Sequence, residues 1–277
     1  MVMKFWITNM TVVREESVLF QAMPWEIWRC TVILATLCMV SGVTLHHSAV
    51  DHEWLIWGHR QVWLPDQFWL FVTQWGDAGQ SLILLMVIFF DRCVDLALVF
   101  KTWLMGIPAS VLLKAIDNSA RPLSVLESEL LNIVGQPPML GHSMPSGHAM
   151  TAGAMAALLF FGFHQKRPWL SMLMLLACGL VALSRLSVGA HWPGDVLTGL
   201  GLGWLLVMLA QQWERVQPWA TRLTSARSQA LIIWLQVFLL VLTWMQPSEG
   251  LGMILARMTI TAWVLTSVAS KWQRQLA

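Results

Sequence analysis

The sequence predicts an all-α protein, a polytopic bundle of helices that crosses a membrane. Of its 277 residues, 57% are apolar and only 12% are charged, which is about half the charged fraction usual for a soluble domain. The apolar residues form runs close to the roughly 20 residues that a helix needs to cross the hydrocarbon core. Many of the 18 tryptophans lie near the ends of these runs, as is typical at a membrane interface.

Eight apolar runs are predicted to span the membrane. The first six form a core, and the last two follow it as C-terminal spans. In chain order the predicted spans cover residues 27–45, 69–90, 94–113, 149–163, 169–188, 196–211, 230–245 and 251–270.

The second run allows two structures, because Asp77 stands inside it in the stretch Trp-Gly-Asp-Ala-Gly. Either the run is one continuous span, or Asp77 caps a shorter helix that follows an interfacial segment at residues 63–75. The topology is the same in both cases.

Basic residues predict the orientation of the bundle. When the spans alternate, and cations inside spans or in the polar clusters at residues 114–122 and 184–195 are left out, the lysines and arginines fall on one side and Arg60 stands alone on the other. By the positive-inside rule the crowded side is cytoplasmic. We therefore expect a multi-pass protein of a bacterial-type inner membrane, in which the ends of spans three and five and the starts of spans four and six face the periplasm. The crowded side carries Lys4, Arg14, Arg29, Arg92, Lys166, Arg167, Arg215, Arg222, Arg227, Lys271 and Arg274.

Two cations, Lys101 and Arg257, fall inside predicted spans. Either they mark a functional site within the membrane, or their side chains snorkel to the headgroups.

Three polar clusters lie at the predicted outer face, and the first runs from Lys114 to Pro122 at the end of the third span. A spacing of seven puts Lys114 and Arg121 on one helical face if the helix persists, and Pro122 then helps to end it. Taken alone, two such cations are more typical of side chains that reach toward headgroups than of a binding site.

The second cluster, His142-Ser-Met-Pro-Ser-Gly-His148, opens the fourth span. Ser146 and Gly147 at the start of a helix present backbone N–H groups at the positive end of its dipole, which favours an anion. His148 is a candidate general acid, since an unperturbed imidazole titrates near neutral pH. The alternative is a helix cap with an incidental histidine, and His142 is predicted to be a loop residue.

The third cluster, from Ser184 to Asp195, joins spans five and six. Pro193 suits the first position of a helix, which lets the Asp195 carboxylate reach back to His191. A carboxylate on one ring nitrogen fixes the tautomer and leaves the other nitrogen free to attack. Arg185 adds a planar fork suited to phosphate oxygens.

Together the clusters place three cations, a helix N-terminus, two histidines and a carboxylate at one membrane face. This set suits phosphoryl transfer, in which cations neutralise the phosphate oxygens, one histidine attacks and the other protonates the leaving oxygen. The chemistry requires no metal, and the four cysteines lack metal-ligand spacing with a histidine. We expect no metal and no cofactor. The net charge of +2, without a basic run, argues against a nucleic-acid partner.

The three clusters resemble the signature of the type 2 phosphatidic acid phosphatase family. That signature is Lys, six residues, Arg-Pro; then Pro-Ser-Gly-His; then Ser-Arg, five residues, His, three residues, Asp. Every fixed position is met between Lys114 and Asp195. The resemblance covers about residues 77–211 and leaves residues 1–60 and the last two spans outside. Vanadate-dependent haloperoxidases share the signature but are soluble, so the spans argue against them.

The resemblance implies a helical bundle and a metal-independent phosphatase that works through a phosphohistidine intermediate. It implies that His191 is the nucleophile, that Asp195 orients it and that His148 is the acid. It further implies that the substrate phosphate is bound by Lys114, Arg121, Ser146, Gly147 and Arg185.

The predicted function is hydrolysis of a phosphate monoester or pyrophosphate on a membrane lipid at the outer face. Phosphatidate, phosphatidylglycerophosphate, undecaprenyl pyrophosphate and lipid A phosphates are substrates that the resemblance implies, and the sequence does not choose among them. A lipid phosphotransferase using the same intermediate is the alternative. A non-catalytic transporter or scaffold is a third, against which the intact signature argues.

We expect three regions. Residues 1–60 hold an N-terminal segment and the first span, residues 61–211 the phosphatase core, and residues 212–277 a cytoplasmic linker and the last two spans. Those spans are either a lipid-facing support or an oligomer contact. The loop at residues 123–140, which contains Glu127, Glu129 and Pro137-Pro138, either selects headgroups at the mouth of the site or is a passive linker.

Overall fold

A computed structural model of the chain describes residues 24–46, 48–60, 64–136, 141–248 and 250–276. These residues contain helices and no β-strand, so the predicted all-α fold is confirmed. A 3₁₀ turn occupies Ser128–Leu130. The α-helices are α1 (Trp25–Leu45), α2 (Ala49–Arg60), α3 (Asp66–Gln74), α4 (Ala78–Ile88), α5 (Cys93–Asp117), α6 (Pro122–Val125), α7 (Gly147–Phe163), α8 (Pro168–Ser187), α9 (Pro193–Val216), α10 (Ala220–Leu223), α11 (Ala226–Met245) and α12 (Leu251–Leu276).

Each predicted span corresponds to a helix or a pair of helices. Six segments are long and apolar enough to cross a membrane, namely α1, α5 with α6, α8, α9, α11 and α12. The bent pair α3 and α4 makes a seventh if it counts as one span, and α7 is a shorter apolar helix of 17 residues. Large apolar side chains are exposed along α1 and α11, including Leu34 and Trp234, as expected of surfaces that face lipid.

The second predicted span is broken at Trp75-Gly76-Asp77, where α3 and α4 meet at 64°. The Asp77 carboxylate accepts the N–H of Gln80 at 2.9 Å and so forms the N-cap of α4. Gly76 suits the break, since a Cβ there would lie 2.9 Å from that of His148. The shorter helix capped by Asp77 is therefore the alternative that is confirmed. Residues 61–63 lie outside the described residues.

Helix α9 is the centre of the bundle and packs against α1, α5, α7 and α8. Glycines on two of its faces allow the close approach. A Cβ on Gly203 would collide with the backbone of Met150 in α7, and a Cβ on Gly201 with the backbone of Ala35 in α1. Small residues that let helix backbones approach are a general feature of membrane helix packing. This packing sets the ends of α1 and α7 beside the start of α9.

The cations inside spans, Lys101 and Arg257, are both buried. Lys101 forms an ion pair of 2.5 Å with Glu214, and its Nζ donates to the carbonyl of Gln217 at 2.6 Å. The Arg257 guanidinium donates to two backbone carbonyls that follow α11, at 2.8 and 3.0 Å. Neither side chain snorkels to the headgroups, and both join helices to neighbouring segments.

The last two spans pack against the broken span. Helix α12 contacts α3 and α4, and α11 contacts α4. The N–H of Gly252 in α12 donates to the side-chain oxygen of Gln67 in α3 at 2.9 Å, and Ile232 and Ile260 belong to the main buried core. Supporting the bundle is therefore one role of these spans.

Two apolar side chains anchor the segment between α6 and α7 to the bundle. Leu131 is buried with Leu55 and Trp192, and Val134 is buried in a second cluster with Trp69. Of the residues singled out from the sequence, Pro137 and Pro138 lie outside the described residues, as do Lys4 and Arg14.

Candidate active site

The nucleophile predicted from the sequence lies immediately before α9. That helix begins at Pro193, as expected, and the Asp195 carboxylate accepts the N–H of Trp192 at 3.0 Å. The same oxygen, Oδ2, lies 3.2 Å from Nδ1 of His191. Because His191 is 3% exposed and Asp195 is fully buried, water does not compete for this contact. The predicted pairing of these two side chains is present.

The partners of the His191 ring define its tautomer. Arginine has no acceptor atoms, so the ring nitrogen beside it must accept. That nitrogen is Nε2, 3.4 Å from Nη1 of Arg121. The proton of a neutral ring therefore sits on Nδ1, toward Asp195. The lone pair of Nε2 then faces Arg121.

Burial lowers the pKa of His191 to about 4. The hydrogen bond to Asp195 and the negative charge of Asp195 raise this pKa, but by less than burial lowers it. The positive charges of Arg185 and Arg121 act in the same direction as burial. The imidazole is therefore neutral at neutral pH, which is the form that can act as a nucleophile.

Three cations surround this ring, and each is held by an oxygen acceptor. Lys114 Nζ donates to the carbonyls of His142 and Ser143 at 3.1 and 3.3 Å. Arg121 donates to the carbonyl of Ala190 at 3.1 Å, and Arg185 donates to the hydroxyl of Thr73. The buried Nε of Arg121 has no hydrogen-bond acceptor within the part of the chain that the structure describes. An anion bound here would give that nitrogen a partner.

The helix that carries Lys114 does not persist to Arg121, so the condition for a shared helical face is not met. Helix α5 ends at Asp117, because Asn118 adopts the left-handed conformation with φ of 51°. Arg121 instead precedes α6, which begins at Pro122. The two cations still reach the same site, since the turn carries Arg121 back to the carbonyl before His191.

The second cluster forms the start of α7. Ser146 is the N-cap, and its hydroxyl accepts the N–H of Ala149 at 3.4 Å. The N–H of Ser146 donates to the carbonyl of Asp195 at 3.1 Å, so the first turns of α7 and α9 adjoin. Gly147 and His148 are the first two residues of α7, where N–H groups have no intrahelical acceptor. An anion at this corner would meet them and the dipole of α7.

The His148 side chain lies within electrostatic range of Arg185, His191, Lys114 and Arg121. The structure therefore brings together every side chain that the sequence assigned to the site. Ser184 of the signature faces away, since its hydroxyl donates to the carbonyl of Val181 within α8 at 2.6 Å. His142 is an exposed loop residue, as expected.

Several side chains at the site were not predicted from the sequence. The buried hydroxyl of Ser143 donates to Oδ2 of Asp195, and Thr73 accepts from Arg185. From the other side, Nδ1 of His46 lies 3.1 Å from Oδ1 of Asp195, and Asp51 accepts the N–H of Gly194 at 2.8 Å. For His46, a polar residue at the end of a predicted span, that position was the one available signal.

Comparison with known proteins gives the family. Residues 82–219 match the sequence profile of the PAP2 superfamily. The chain is 29% identical over 164 residues to an undecaprenyl-diphosphatase of Sulfolobus acidocaldarius, covering 58% of this chain and 68% of that protein. It is 33% identical over 124 residues to a lipid A 1-phosphatase of Rhizobium johnstonii, covering 43% of this chain and 47% of that protein.

The crystal structure of Aquifex aeolicus LpxE shares the fold. It superposes with a TM-score of 0.53 at 22% sequence identity and covers 60% of this chain and 97% of that chain. The names of the two relatives agree with the predicted enzyme class, since both are phosphatases. The three clusters lie within the matched residues, whereas His46 and Asp51 precede them. On its sequence profile and its signature, the chain belongs to the PAP2 superfamily.

Proposed function

We propose that the chain is an integral membrane phosphatase that hydrolyses a phosphate monoester or pyrophosphate of a membrane lipid, with a phosphohistidine on His191 as intermediate. One observation carries the proposal. A buried imidazole has Nδ1 held by Asp195 and Nε2 directed toward Arg121. A neutral ring in this position can attack a phosphorus atom that the neighbouring cations hold.

In the first step, Nε2 of His191 forms a bond to phosphorus while the bond from phosphorus to the lipid oxygen breaks. Lys114, Arg121 and Arg185 offset the charge on the phosphoryl oxygens. His148 gives a proton to the leaving oxygen, so that the lipid departs as an alcohol, or as a monophosphate if the substrate is a pyrophosphate. The Asp195 carboxylate stabilises the positive charge that develops on the His191 ring.

In the second step, a water oxygen attacks the phosphorus of the phosphohistidine and the nitrogen–phosphorus bond breaks. His148, now neutral, takes a proton from that water. Inorganic phosphate is released, and both histidines return to their starting protonation states. None of these steps requires a metal.

The names of the relatives, an undecaprenyl-diphosphatase and a lipid A 1-phosphatase, support a phosphorylated membrane lipid as the substrate. The apolar exterior of the bundle beside the site supports the same class, since a lipid could reach the site from within the bilayer. The distribution of basic residues supports a site at the outer face.

The test of this function is phosphate release by the purified chain in detergent, with EDTA present. Phosphatidate, phosphatidylglycerophosphate, undecaprenyl pyrophosphate and lipid A are offered in parallel. Release in the presence of EDTA that disappears in His191→Ala is the expected result. The matched control is His164→Ala, because His164 follows the opposite end of α7 and stacks on Phe160 at 4.5 Å.

Three outcomes would contradict parts of the proposal. Activity that survives in His191→Ala would remove the phosphohistidine step, and activity abolished by EDTA would contradict the metal-independent mechanism. Transfer of labelled phosphate to another lipid, in place of free phosphate, would mean a phosphotransferase.

The membrane face at which the site lies is tested with two exposed positions at opposite ends of the bundle. Glu129 lies at the end that holds the site, and Gln212 lies near the far end of α9. In intact cells, a membrane-impermeant thiol reagent should label Glu129→Cys above the wild-type background and should not label Gln212→Cys. The reverse pattern would place the site at the cytoplasmic face.

A further inference from the structure

The end of α1 places a second histidine beside Asp195. His46 directly follows Leu45, the last residue of α1, and its N–H donates to the carbonyl of Gly42 at 3.0 Å. Its side chain is 5% exposed, and its Nδ1 lies 3.1 Å from Oδ1 of Asp195. His46 precedes the residues that match the PAP2 profile, and it is no part of the three clusters.

The two oxygens of the Asp195 carboxylate have different partners. Oδ2 is contacted by Nδ1 of His191, the hydroxyl of Ser143 and the N–H of Trp192. Oδ1, on the opposite side, faces His46. The carboxylate is fully buried, so bulk solvent does not reach Oδ1. The plane of the carboxylate, and with it the direction of the His191 ring, is therefore set from both sides.

We propose that His46 is a positioning residue for the phosphoryl transfer, and that its charged ring holds Oδ1 of Asp195 while Oδ2 orients the nucleophile. This inference rests on the proposed function and deepens it. It adds to the reaction a residue of the N-terminal helix, from outside the region that carries the family signature.

The charges around His46 explain why an imidazole is suited to this position. Three carboxylates face it, each from a different helix: Asp195 from α9, Asp117 from α5 at 3.6 Å, and Asp51 from α2 at 4.0 Å. Without a positive charge between them, these groups would repel one another in a region of low exposure. One imidazolium, with two N–H donors, can face Asp195 and Asp117 at the same time.

The protonation state of His46 follows from the same neighbours. Burial acts against its charge, but the contact with Asp195 and the negative charges of Asp195, Asp117 and Asp51 outweigh burial and raise the pKa of His46 above its usual value of 6.5. The charged form of His46 is therefore favoured more than that of a free imidazole, and the charge is lost as the pH rises through this raised value. Positioning of Asp195 by His46 should weaken over the same interval.

Contacts that do not involve the His46 side chain keep this segment in place. Asp51 accepts the N–H of Gly194, and the ring of His52 stacks on that of Trp192 with centroids 4.3 Å apart. Gly42 lies against the backbone of Thr198 in α9. A change confined to the His46 side chain should therefore leave the packing of α1 on α9 intact.

The test compares His46→Ala and His46→Asn with the wild type, using the lipid that the wild type hydrolyses fastest. The Asn side chain can keep a donor near Oδ1 but does not titrate. We expect His46→Ala to lower kcat about tenfold or more, the effect of losing a hydrogen bond to a charged group. KM should stay within about twofold, because the phosphate-binding cations keep their contacts. His164→Ala, the matched control, should keep the wild-type kcat.

A pH profile of kcat, from about pH 5 to 9, separates positioning from a purely structural role. His46→Asn should recover part of the lost kcat. Its profile should keep the alkaline decline due to the acid His148 and lack the additional decline that titration of His46 gives the wild type. A loss of packing alone would lower the unfolding temperature without moving that decline. If His46→Ala does not fold, the profile of His46→Asn decides the question.

Two results would overturn the inference while leaving the proposed function standing. One is an active wild type together with a His46→Ala protein whose kcat lies within about twofold of the wild-type kcat. The other is a His46→Asn pH profile of the same shape as that of the wild type, with the alkaline decline at the same pH. A wild type that releases phosphate from none of the four lipids would instead contradict the proposed function, and the inference that rests on it would fall too.

Discussion

Replacing Ser143 with alanine should slow phosphate release without weakening substrate binding. The Ser143 hydroxyl is buried and donates to Oδ2 of Asp195. A hydrogen bond to a charged group contributes about 1.5–3 kcal/mol, and about 1.4 kcal/mol corresponds to a tenfold change in rate. Because Trp192 and His191 still contact the same oxygen at 3.0 and 3.2 Å, we expect the lower part of that range, a decrease of about tenfold in kcat.

KM of Ser143→Ala should stay near the wild-type value, since Lys114 contacts the backbone carbonyl of Ser143, which the substitution retains. The assay is phosphate release from the preferred lipid, with the unfolding temperature measured in the same detergent. Ser171→Ala is the matched control, because Ser171 is equally buried but bonds only the start of α8, at the carbonyl of Pro168. A folded Ser143→Ala protein with wild-type kcat would refute the role assigned to this hydroxyl.

Three further predictions concern pH and packing. First, kcat/KM should fall as the pH drops through about 4, the pKa of His191, since only the neutral ring attacks; an acid limb near the ordinary pKa of 6.5 would contradict this. Second, Gly203→Ala should lower the unfolding temperature, because overpacking against α7 reduces the free energy of unfolding by about 1–3 kcal/mol. Gly179→Ala is the control, since a Cβ there meets no atom within 4 Å, and it should leave the unfolding temperature unchanged. Third, Lys101→Met should destabilise the fold by about 3–5 kcal/mol because Glu214 is left without its cation; adding Glu214→Gln should recover most of that loss in thermal unfolding.

The sequence predicted those parts of the site that depend on local patterns. Pro193 starts α9, and the spacing of four from His191 to Asp195 brings the two side chains together as expected. The cap at Asp77 was one of two structures that the second apolar run allowed. In each case the relevant contacts lie within one turn of a helix, where residue type and spacing are sufficient evidence.

The rest depended on contacts between segments far apart in the chain. The left-handed turn at Asn118 ends α5 before Arg121, and neither a proline nor a glycine marks that point. Ser143 is one of several polar residues in a loop. His46 ends a span, as many polar residues do, and it reaches Asp195 only because α1 packs against the glycine-bearing face of α9. Spacing along the sequence does not contain this information.

The packing of the last two spans bears on the order in which the protein matures during synthesis. Thr73, the partner of Arg185, belongs to α3, and α3 packs against α12, a helix that is synthesised after every signature residue. A nascent chain that ends before residue 226 already carries every signature residue, yet α3 and α4 still lack the surfaces that α11 and α12 provide. We therefore expect the site to take its final form late, when the C-terminal helices insert beside the broken span, so that a partly made chain does not hydrolyse lipid.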